Sequence, residues 1–387
     1  MSRNSHTGRS RTPRDHANSV SHVEIKTVTW NKDSHGLFDY ENSTYDMKKF
    51  SISNPSKFFR SDNTVHMQAL DGPPLSISEA SEPLIAVSHD RSATEKFVID
   101  IGDQPEDGTR SPISPYLIVR SLKCSDGKNQ RGFPLSVGQI IKLGRIEFRV
   151  LEICSKAGMP PEKINYHLYQ HDVRFDIESE NNLPSDGEVL CRFCYTDKID
   201  TTEEIDGVML YMCNCKGSSG GLHFMCLRQW INYKTVNKNQ YNSIINYQLK
   251  KLECEVCLKP YPQRVSYKGN VHEFLTIARP QTPYLILERL VPDMSLSSNL
   301  SIVCLEDNQE IKIGRGHLCD LRVSDISVSR VHAMLKFVNE KFVVFDNDSK
   351  FGTLIYLDKN YPIKTEKAAI QMGRTVFTFV MKNQIMR

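Results

Sequence analysis

The sequence lacks long apolar runs and has no marked excess of charge of either sign. In 387 residues no stretch approaches the roughly 18 to 20 consecutive apolar residues that span a bilayer, and the N-terminus lacks the apolar centre of a secretory signal. We therefore expect no membrane insertion and a cytoplasmic or nuclear location. The 49 Lys and Arg nearly balance the 46 Asp and Glu, so no nucleic-acid partner is predicted.

The cysteine content of the chain indicates a metal-binding function. A chain without an export signal is expected to stay where cytosolic reductants keep thiols reduced. The eleven cysteines are therefore expected to bind metal rather than to form disulfides. Seven of them cluster with one histidine between residues 191 and 257, and the other four have no local base that would nominate a catalytic nucleophile.

Apolar patterning divides the rest of the chain into regions. Residues 1–113 are polar with only short apolar runs, which predicts a largely disordered N-terminal region. Residues 114–155 show the alternation of short strands and predict a small β-module, and the polar residues 156–187 are interpreted as a linker. A second strand-rich region runs from about residue 284 to the end.

The two β-regions share short repeated patterns. Ile141-Lys-Leu-Gly-Arg-Ile-Glu-Phe148 is similar to Ile370-Gln-Met-Gly-Arg-Thr-Val-Phe377, and Pro115-Tyr-Leu-Ile-Val119 is similar to Pro283-Tyr-Leu-Ile-Leu287. Two interpretations stay open. The regions are degenerate copies of one FHA-like unit, or a strand, glycine turn and strand recur by chance, as they do in many β-proteins.

Four close pairs of soft ligands define a metal-binding pattern. The pairs are Cys191-x-x-Cys194, Cys213-x-Cys215, His223-x-x-Cys226 and Cys254-x-x-Cys257. Their eight N and S donors suffice for two tetrahedral Zn²⁺ sites, and a gap of one or two residues lets both members of a pair turn toward one ion. Because the region has little apolar material, metal binding should supply much of its folding energy.

The order and spacing of these pairs, with Trp230 four residues after Cys226, resemble the RING-CH (RINGv) zinc-finger family. PHD fingers share the ligand order, but the one-residue gap of the second pair and the absence of Trp just before Cys254 favour RING-CH. The resemblance implies a small α+β domain over residues 188–262 in a cross-brace arrangement. That arrangement assigns Cys191, Cys194, His223 and Cys226 to one zinc, and Cys213, Cys215, Cys254 and Cys257 to the other.

The RING-CH resemblance also implies an activity. Such domains dock a ubiquitin-conjugating enzyme and orient its thioester, so no catalytic cysteine is required. By position, the docking surface should include Phe193, Trp230 and Pro260, and aromatic anchors suit an interface of this kind. The structural alternative for Trp230 is packing against the zinc layers alone.

Three motifs near the C-terminus carry a second resemblance. Ile313-Gly314-Arg315-Gly316, Ser329-Arg330-Val-His332 and Ser349-Lys350-Phe351-Gly352-Thr353 occur in the order typical of the FHA family. The resemblance implies an FHA-type β-sandwich over residues 283–385 that binds phosphothreonine. Arg315 and Ser329 should contact the phosphate with help from Arg330 and Lys350, because a doubly charged phosphate is satisfied by such donors.

The C-terminal region departs from the FHA pattern at one position, and the first β-module lacks the Ser-x-x-His motif of that pattern. Phe351 stands where the family often has the Asn that holds the peptide backbone, so affinity or peptide preference should differ. No Ser-x-x-His follows Gly144-Arg145, and no phosphate site is predicted in residues 114–155.

Together these features predict a soluble, multidomain, mainly β protein with a two-zinc RING-CH domain, an FHA domain and a disordered N-terminal tail. The leading hypothesis is a ubiquitin-protein ligase that recruits phosphothreonine-containing proteins through its FHA domain. The alternative is a phosphorylation-dependent scaffold with a structural zinc domain and no ligase activity. An assay for autoubiquitination separates the two.

Overall fold

A computed structural model describes residues 21–31, 37–40, 43–72, 81–89, 97–102, 111, 113–122, 131–164, 174–180, 190–238, 243–249, 252–291, 299–363 and 367–383. Within these ranges the chain is mainly β, as the sequence predicts. None of the helices in the described ranges has the length and apolar character needed to cross a bilayer.

The N-terminal region contains strands that the sequence analysis did not predict. They are β1 (Ser21–Trp30), β2 (Tyr45–Ile52), β3 (Ser56–Ser61), β4 (Thr64–Ala69), β5 (Glu82–His89) and β6 (Phe97–Asp100). The expected disorder of residues 1–113 is corrected for these segments, while residues 1–20 lie outside the described ranges. Polar residues at inward positions hid the alternation, since Thr27 and Thr29 on β1 are as buried as Val23 and Ile25.

The described residues in the middle of the chain form short strands and two α-helices, besides three 3-10 turns at Val119–Ser121, Glu204–Gly207 and Gly217–Ser219. The strands and α-helices are β7 (Pro115–Ile118), β8 (Phe133–Pro134), β9 (Ile140–Leu143), β10 (Ile146–Cys154), β11 (Glu162–Lys163), β12 (Arg174–Asp176), α1 (Ile177–Glu180), β13 (Met209–Leu210), β14 (Leu222–His223), α2 (Phe224–Thr235), β15 (Val236–Lys238), β16 (Ile244–Gln248), β17 (Arg264–Tyr267) and β18 (Asn270–Glu273).

The C-terminal region is entirely of strands and turns within the described ranges. Its strands are β19 (Tyr284–Leu290), β20 (Asn299–Cys304), β21 (Glu310–Gly314), β22 (Leu321–Arg322), β23 (Ala333–Val338), β24 (Lys341–Asp346), β25 (Thr353–Tyr356), β26 (Tyr361–Pro362), β27 (Ala368–Met372) and β28 (Thr375–Asn383).

One long sheet runs through the molecule and contains two similar halves. One half has the strand order β2-β1-β28-β27-β7, and the other has the order β20-β19-β10-β9-β25. The halves meet where β7 and β25 pair antiparallel, with Leu117 opposite Ile355. Two smaller sheets, β4-β3-β5-β6-β26 and β22-β21-β23-β24-β8, pack on the long sheet through one apolar core.

Each half is completed by strands from the other half of the sequence. The β9–β10 hairpin lies between β25 and β19, and the β27–β28 hairpin lies between β7 and β1. The short strands β8 and β26 cross over in the same way. Residues 114–155 are therefore not a separate module, and residues 283–385 do not form a self-contained sandwich. Both predicted boundaries are corrected, because pairing between distant segments leaves no local pattern to read.

The repeated Gly-Arg pattern marks the turns of the two exchanged hairpins. Gly144 and Gly373 have φ angles of 60° and 52°, in the left-handed region that glycine adopts without a Cβ penalty. Because the two hairpins occupy equivalent positions in the two halves, this similarity favours degenerate copies over chance. The other similarity joins β7 and β19, which occupy different positions in the long sheet.

The cysteine-rich region is joined to the long sheet by strand pairing and by apolar packing. The β15–β16 hairpin extends the sheet beyond β20, and α2 packs toward β19 and β20 in an apolar cluster that includes Phe224, Leu227, Ile286 and Ile302. The region therefore packs in a second apolar core that it shares with the long sheet, which corrects the expectation of little apolar material. The predicted linker 156–187 also contributes, because β12 pairs in parallel with β17.

Candidate metal centre and phosphopeptide surface

Two groups of four side chains converge within the cysteine-rich region. Their ligand atoms lie within 4.8 Å of one another in each group. The first group is Cys191, Cys194, His223 and Cys226, and the second is Cys213, Cys215, Cys254 and Cys257. This is the pairing of distant segments that the RING-CH resemblance implies.

The spacing of donor atoms fits a tetrahedral metal ion. Two thiolates on one Zn²⁺ at about 2.3 Å stand about 3.8 Å apart, and Sγ of Cys215 lies 3.7 Å from Sγ of Cys254. In the other group Sγ of Cys194 lies 3.3 Å from Nδ1 of His223. The Asp197 carbonyl lies 3.2 Å from Nε2 of that imidazole and accepts its N–H, which leaves the Nδ1 lone pair for a metal.

The shifted pKa values of the thiols also indicate sites that favour a bound cation. Burial opposes ionisation of Cys254, but the Cys257 backbone N–H and the Arg192 guanidinium outweigh it and lower the pKa of Cys254 to about 5. Burial and neighbouring thiols raise the pKa of Cys215 and Cys226 to about 12. Thiolates so close together repel one another, and a divalent cation removes that repulsion.

The first and last cysteine pairs form the same kind of turn. The N–H of Tyr195 donates to the Cys191 carbonyl at 2.8 Å, and the N–H of Leu258 donates to the Cys254 carbonyl at 2.9 Å. Tyr195 and Leu258 both have positive φ, at 60° and 58°. These turns hold each cysteine pair in the orientation that points both thiols into one group.

Helix α2 carries both Cys226 and Trp230, which lie four residues, or about one helical turn, apart. Its inward face is Phe224, Leu227 and Ile231, spaced three and four residues apart. Asn232 fixes the other side by donating from Nδ2 to the Phe274 carbonyl at 2.9 Å. The position of Trp230 is therefore set by both the metal group and the apolar core.

The structure brings two of the three predicted docking residues into contact. The rings of Phe193 and Trp230 stack with centroids 5.9 Å apart and planes 23° apart, and both are half-buried. Pro260 is exposed after the last cysteine pair. Val256 and Leu258, 69% and 65% exposed, were not selected from the sequence. The sequence contained a signal for them. In a turn whose cysteines point toward a metal ion, the apolar residues beside those cysteines are directed toward solvent.

The predicted phosphate contacts come together on adjoining loops at one end of the C-terminal sandwich. The Arg315 N–H donates to the Ser329 carbonyl at 3.1 Å, and the Lys350 N–H donates to Oγ of Ser329, also at 3.1 Å. A Cβ on Gly314 would lie 2.5 Å from the Arg330 carbonyl oxygen, so this approach requires glycine. Arg315, Arg330 and Lys350 are exposed and Ser329 is half-buried.

Buried polar side chains brace these loops from below. Nδ1 of His332 accepts the Ser329 N–H at 3.1 Å, and its Nε2 lies 3.1 Å from the Gly352 carbonyl. Burial lowers the pKa of His332, which keeps the imidazole neutral and able to act as both acceptor and donor. Oδ1 of Asp346 accepts bonds from the Thr353 N–H and hydroxyl at 2.8 and 2.7 Å. These residues hold the loops that carry Ser329 and Lys350 in place.

A segment of the N-terminal half borders the same loops. Nζ of Lys350 lies 3.1 Å from Oδ2 of Asp39. The Arg120 guanidinium stacks 3.8 Å above the Tyr40 ring and donates to the Ser349 carbonyl at 3.2 Å. Sequence reasoning missed these residues because they lie far from the motifs and reach the loops only through the exchanged fold.

Comparison with protein families matches two stretches of the chain. The model of the RING-variant domain matches residues 191–257, and the model of the FHA domain matches residues 311–376. The first stretch runs from the first to the last member of the two metal-ligand groups, and the second runs from β21 into the start of β28. No curated protein and no solved structure matches the chain.

Proposed function

We propose that this chain, which contains a RING-variant domain and an FHA domain, is a ubiquitin-protein ligase that selects phosphothreonine-containing substrates. The proposal rests on one observation: the candidate docking surface and the candidate phosphate-binding surface are connected through the same β-sheet. The Phe193–Trp230 pair adjoins the metal groups, and the hairpin that follows α2 enters the sheet of the sandwich that holds Arg315 and Ser329. Both metal groups would hold Zn²⁺, whose preference for Cys and His donors they match.

In this proposal the RING-variant domain binds a ubiquitin-conjugating enzyme and contributes no nucleophile. Phe193 and Trp230 would form the aromatic centre of the docking surface, with Pro260, Val256 and Leu258 around it. Aromatic side chains at the centre of a small interface commonly contribute most of its binding energy. Docking would restrict the thioester to geometries open to a substrate lysine, which accelerates transfer through positioning.

The FHA domain would supply the substrate. Arg315 and Ser329 would hold the phosphate, with Arg330 and Lys350 adding charge from the neighbouring loops. Among the described residues neither Arg315 nor Arg330 is engaged in an ion pair, so both guanidinium groups are available to a phosphate. Because β15 and β16 belong to the long sheet, a bound phosphoprotein would be held at a fixed distance from the conjugating enzyme.

Replacement of Trp230 by Ala is expected to lower autoubiquitination at least about tenfold, since loss of an aromatic anchor commonly costs 2 kcal/mol or more. The assay uses the full chain with a panel of conjugating enzymes. Tyr233→Ala is the matched control, because Tyr233 is an 84% exposed aromatic on the same helix. Cys191→Ser, which removes a metal ligand, should also abolish activity. A wild-type protein that is folded, metal-loaded and inactive with every enzyme would favour the scaffold instead.

Phosphopeptide binding is expected to respond in opposite directions to two substitutions. Arg315→Ala should weaken binding of a phosphothreonine peptide by about 10- to 100-fold, the effect of losing a charge-assisted hydrogen bond. Asp39→Asn should strengthen it a few-fold, because Asp39 competes with phosphate for Lys350. Calorimetric titration of the full chain measures both, with the exposed Lys341→Ala, at the far end of β24, as control. Equal affinity for the unphosphorylated peptide would refute the assignment.

A further inference from the structure

A cleft of about 430 Å³ opens at one edge of the C-terminal sandwich, on the inner side of the long sheet. Its floor is formed by β19, β20 and β16, and its wall is formed by β22 and the residues that follow it. The cleft includes neither the metal ligands nor the four predicted phosphate contacts. It therefore has a chemistry that the proposed function does not use.

The floor of the cleft is polar where the strand pattern predicts apolar core. On β19 the inward residues Leu285 and Leu287 are buried in the apolar core, and the next inward residue is Arg289. On β20 the inward Val303 is followed toward the same end by Ser301 and Asn299.

Strand β16 makes the same change at the same end. Its Ile244 belongs to the apolar core, and Asn246 and Gln248 follow on the inward face. The registers place Asn299 opposite both Arg289 and Gln248. Three neighbouring strands thus exchange apolar for polar residues at one level of the sheet, which produces a continuous polar floor.

Within the described part of the chain, two polar atoms of this floor are buried without a partner. Nε of Arg289 donates no hydrogen bond there and Oδ1 of Asn299 accepts none, and solvent reaches neither atom. A desolvated guanidinium N–H and a desolvated carbonyl oxygen without partners each cost free energy comparable to a lost hydrogen bond. A ligand that offers an acceptor to Arg289 and a donor to Asn299 would recover that energy.

The charge of the lining defines the class of ligand. The described lining residues include two arginines, Arg289 and Arg322, and no carboxylate. Arginine pairs suit phosphate oxygens, while Asn246, Ser301 and Ser324 offer hydrogen bonds to hydroxyl groups. The volume exceeds that of a lone phosphate and lies in the range of small-molecule sites. We propose that this cleft binds a small hydroxylated organic phosphate, such as a sugar phosphate.

The test uses the full chain carrying Arg315→Ala, which disables the predicted phosphothreonine site and leaves the cleft intact. Calorimetric titration with glucose 6-phosphate is expected to show saturable binding, with inorganic phosphate weaker and glucose weaker still. Adding Arg289→Met, which keeps most of the side-chain volume, should weaken glucose 6-phosphate binding at least tenfold. Arg322→Gln, an exposed substitution, should weaken it as well and serves if the Arg289 variant does not fold.

Three results would overturn the proposal. They are unchanged glucose 6-phosphate affinity in folded Arg289→Met and Arg322→Gln variants, equal affinity for glucose, or no saturable binding by the folded Arg315→Ala protein. Each of these outcomes is independent of ligase activity and of phosphopeptide binding, so the cleft and the proposed function can fail separately.

Discussion

A fragment of residues 283–387 is expected to show no cooperative unfolding transition, although it contains the whole stretch matched as an FHA domain. The fragment lacks β9 and β10, which fill the space between β25 and β19. Those strands contribute six buried residues to the apolar core of the sandwich, Ile141, Leu143, Ile146, Phe148, Val150 and Ile153. At roughly 1.5–3 kcal/mol for each side chain, their loss is on the order of 10 kcal/mol, comparable to the stability of a whole domain.

The fragment's own hairpin does not replace the missing one. On β10, Glu152 is fully buried and accepts bonds from the Tyr284 hydroxyl at 2.6 Å and from Nε of Arg279 at 2.9 Å. The strand also buries Leu151 against the RING-variant domain. Hairpin β27–β28 has Met381 at the position that corresponds to Glu152 when the Gly-Arg turns are aligned, so the Tyr284 hydroxyl of the fragment would lose its partner.

Thermal unfolding followed by circular dichroism measures this result. The control is the same fragment with residues 131–155 joined to it by a glycine-serine linker, which should unfold cooperatively. If residues 283–387 alone unfold cooperatively at the same temperature as the joined protein, the two hairpins are interchangeable and the exchange is not required for folding.

Removal of metal from the intact chain is expected to unfold residues 191–235 while the sandwich strands stay protected. Structural Zn²⁺ contributes about 10–16 kcal/mol to the folding of small zinc domains, more than the apolar cluster around Leu227 and Ile231 can replace. Amide hydrogen exchange in α2 should rise by orders of magnitude after chelation. Exchange in β23 and β24, which lie in the sandwich core, should change little.

Metal content and reconstitution provide the controls for this prediction. Native mass spectrometry should find two zinc ions per chain, and added Zn²⁺ should restore protection in α2. Cys191→Ser should lose metal from the first group, whereas Cys319→Ser, a buried cysteine outside both groups, should keep both ions. Absence of bound metal in the purified, reduced protein would contradict the assignment of both sites.

The sequence carried the local chemistry well because that chemistry depends on short spacings. Cysteine pairs one or two residues apart determine which thiols turn together, and the Gly314-Arg315 and Ser329-x-x-His332 motifs determine loops of a few residues. The structure accordingly groups the eight ligands as the resemblance implies and gathers Arg315, Ser329, Arg330 and Lys350 at one end of the sandwich.

What the sequence could not supply is long-range pairing. Strand β1 follows a polar stretch, buries two threonines and pairs with the C-terminal strand β28, so neither its composition nor its neighbours marked it as a core element. Asp39 follows β1, and Arg120 follows β7, which pairs with β25, so both reach the loops around Ser349 and Lys350 through long-range pairing. The boundary between the two domains could not be predicted for the same reason. Strand β16 lies within the metal-binding region of the sequence, but it pairs with β20 of the sandwich.

The exchange of hairpins also changes what a break in the backbone would do. A cut between β11 and β12 would give two polypeptides, yet the first would still hold β9 and β10 in the sheet of the second, and the second would hold β27 and β28 in the sheet of the first. Separation of the pieces would require disruption of both cores at once. A nicked molecule would therefore migrate as a single particle under native conditions and as two bands only after denaturation.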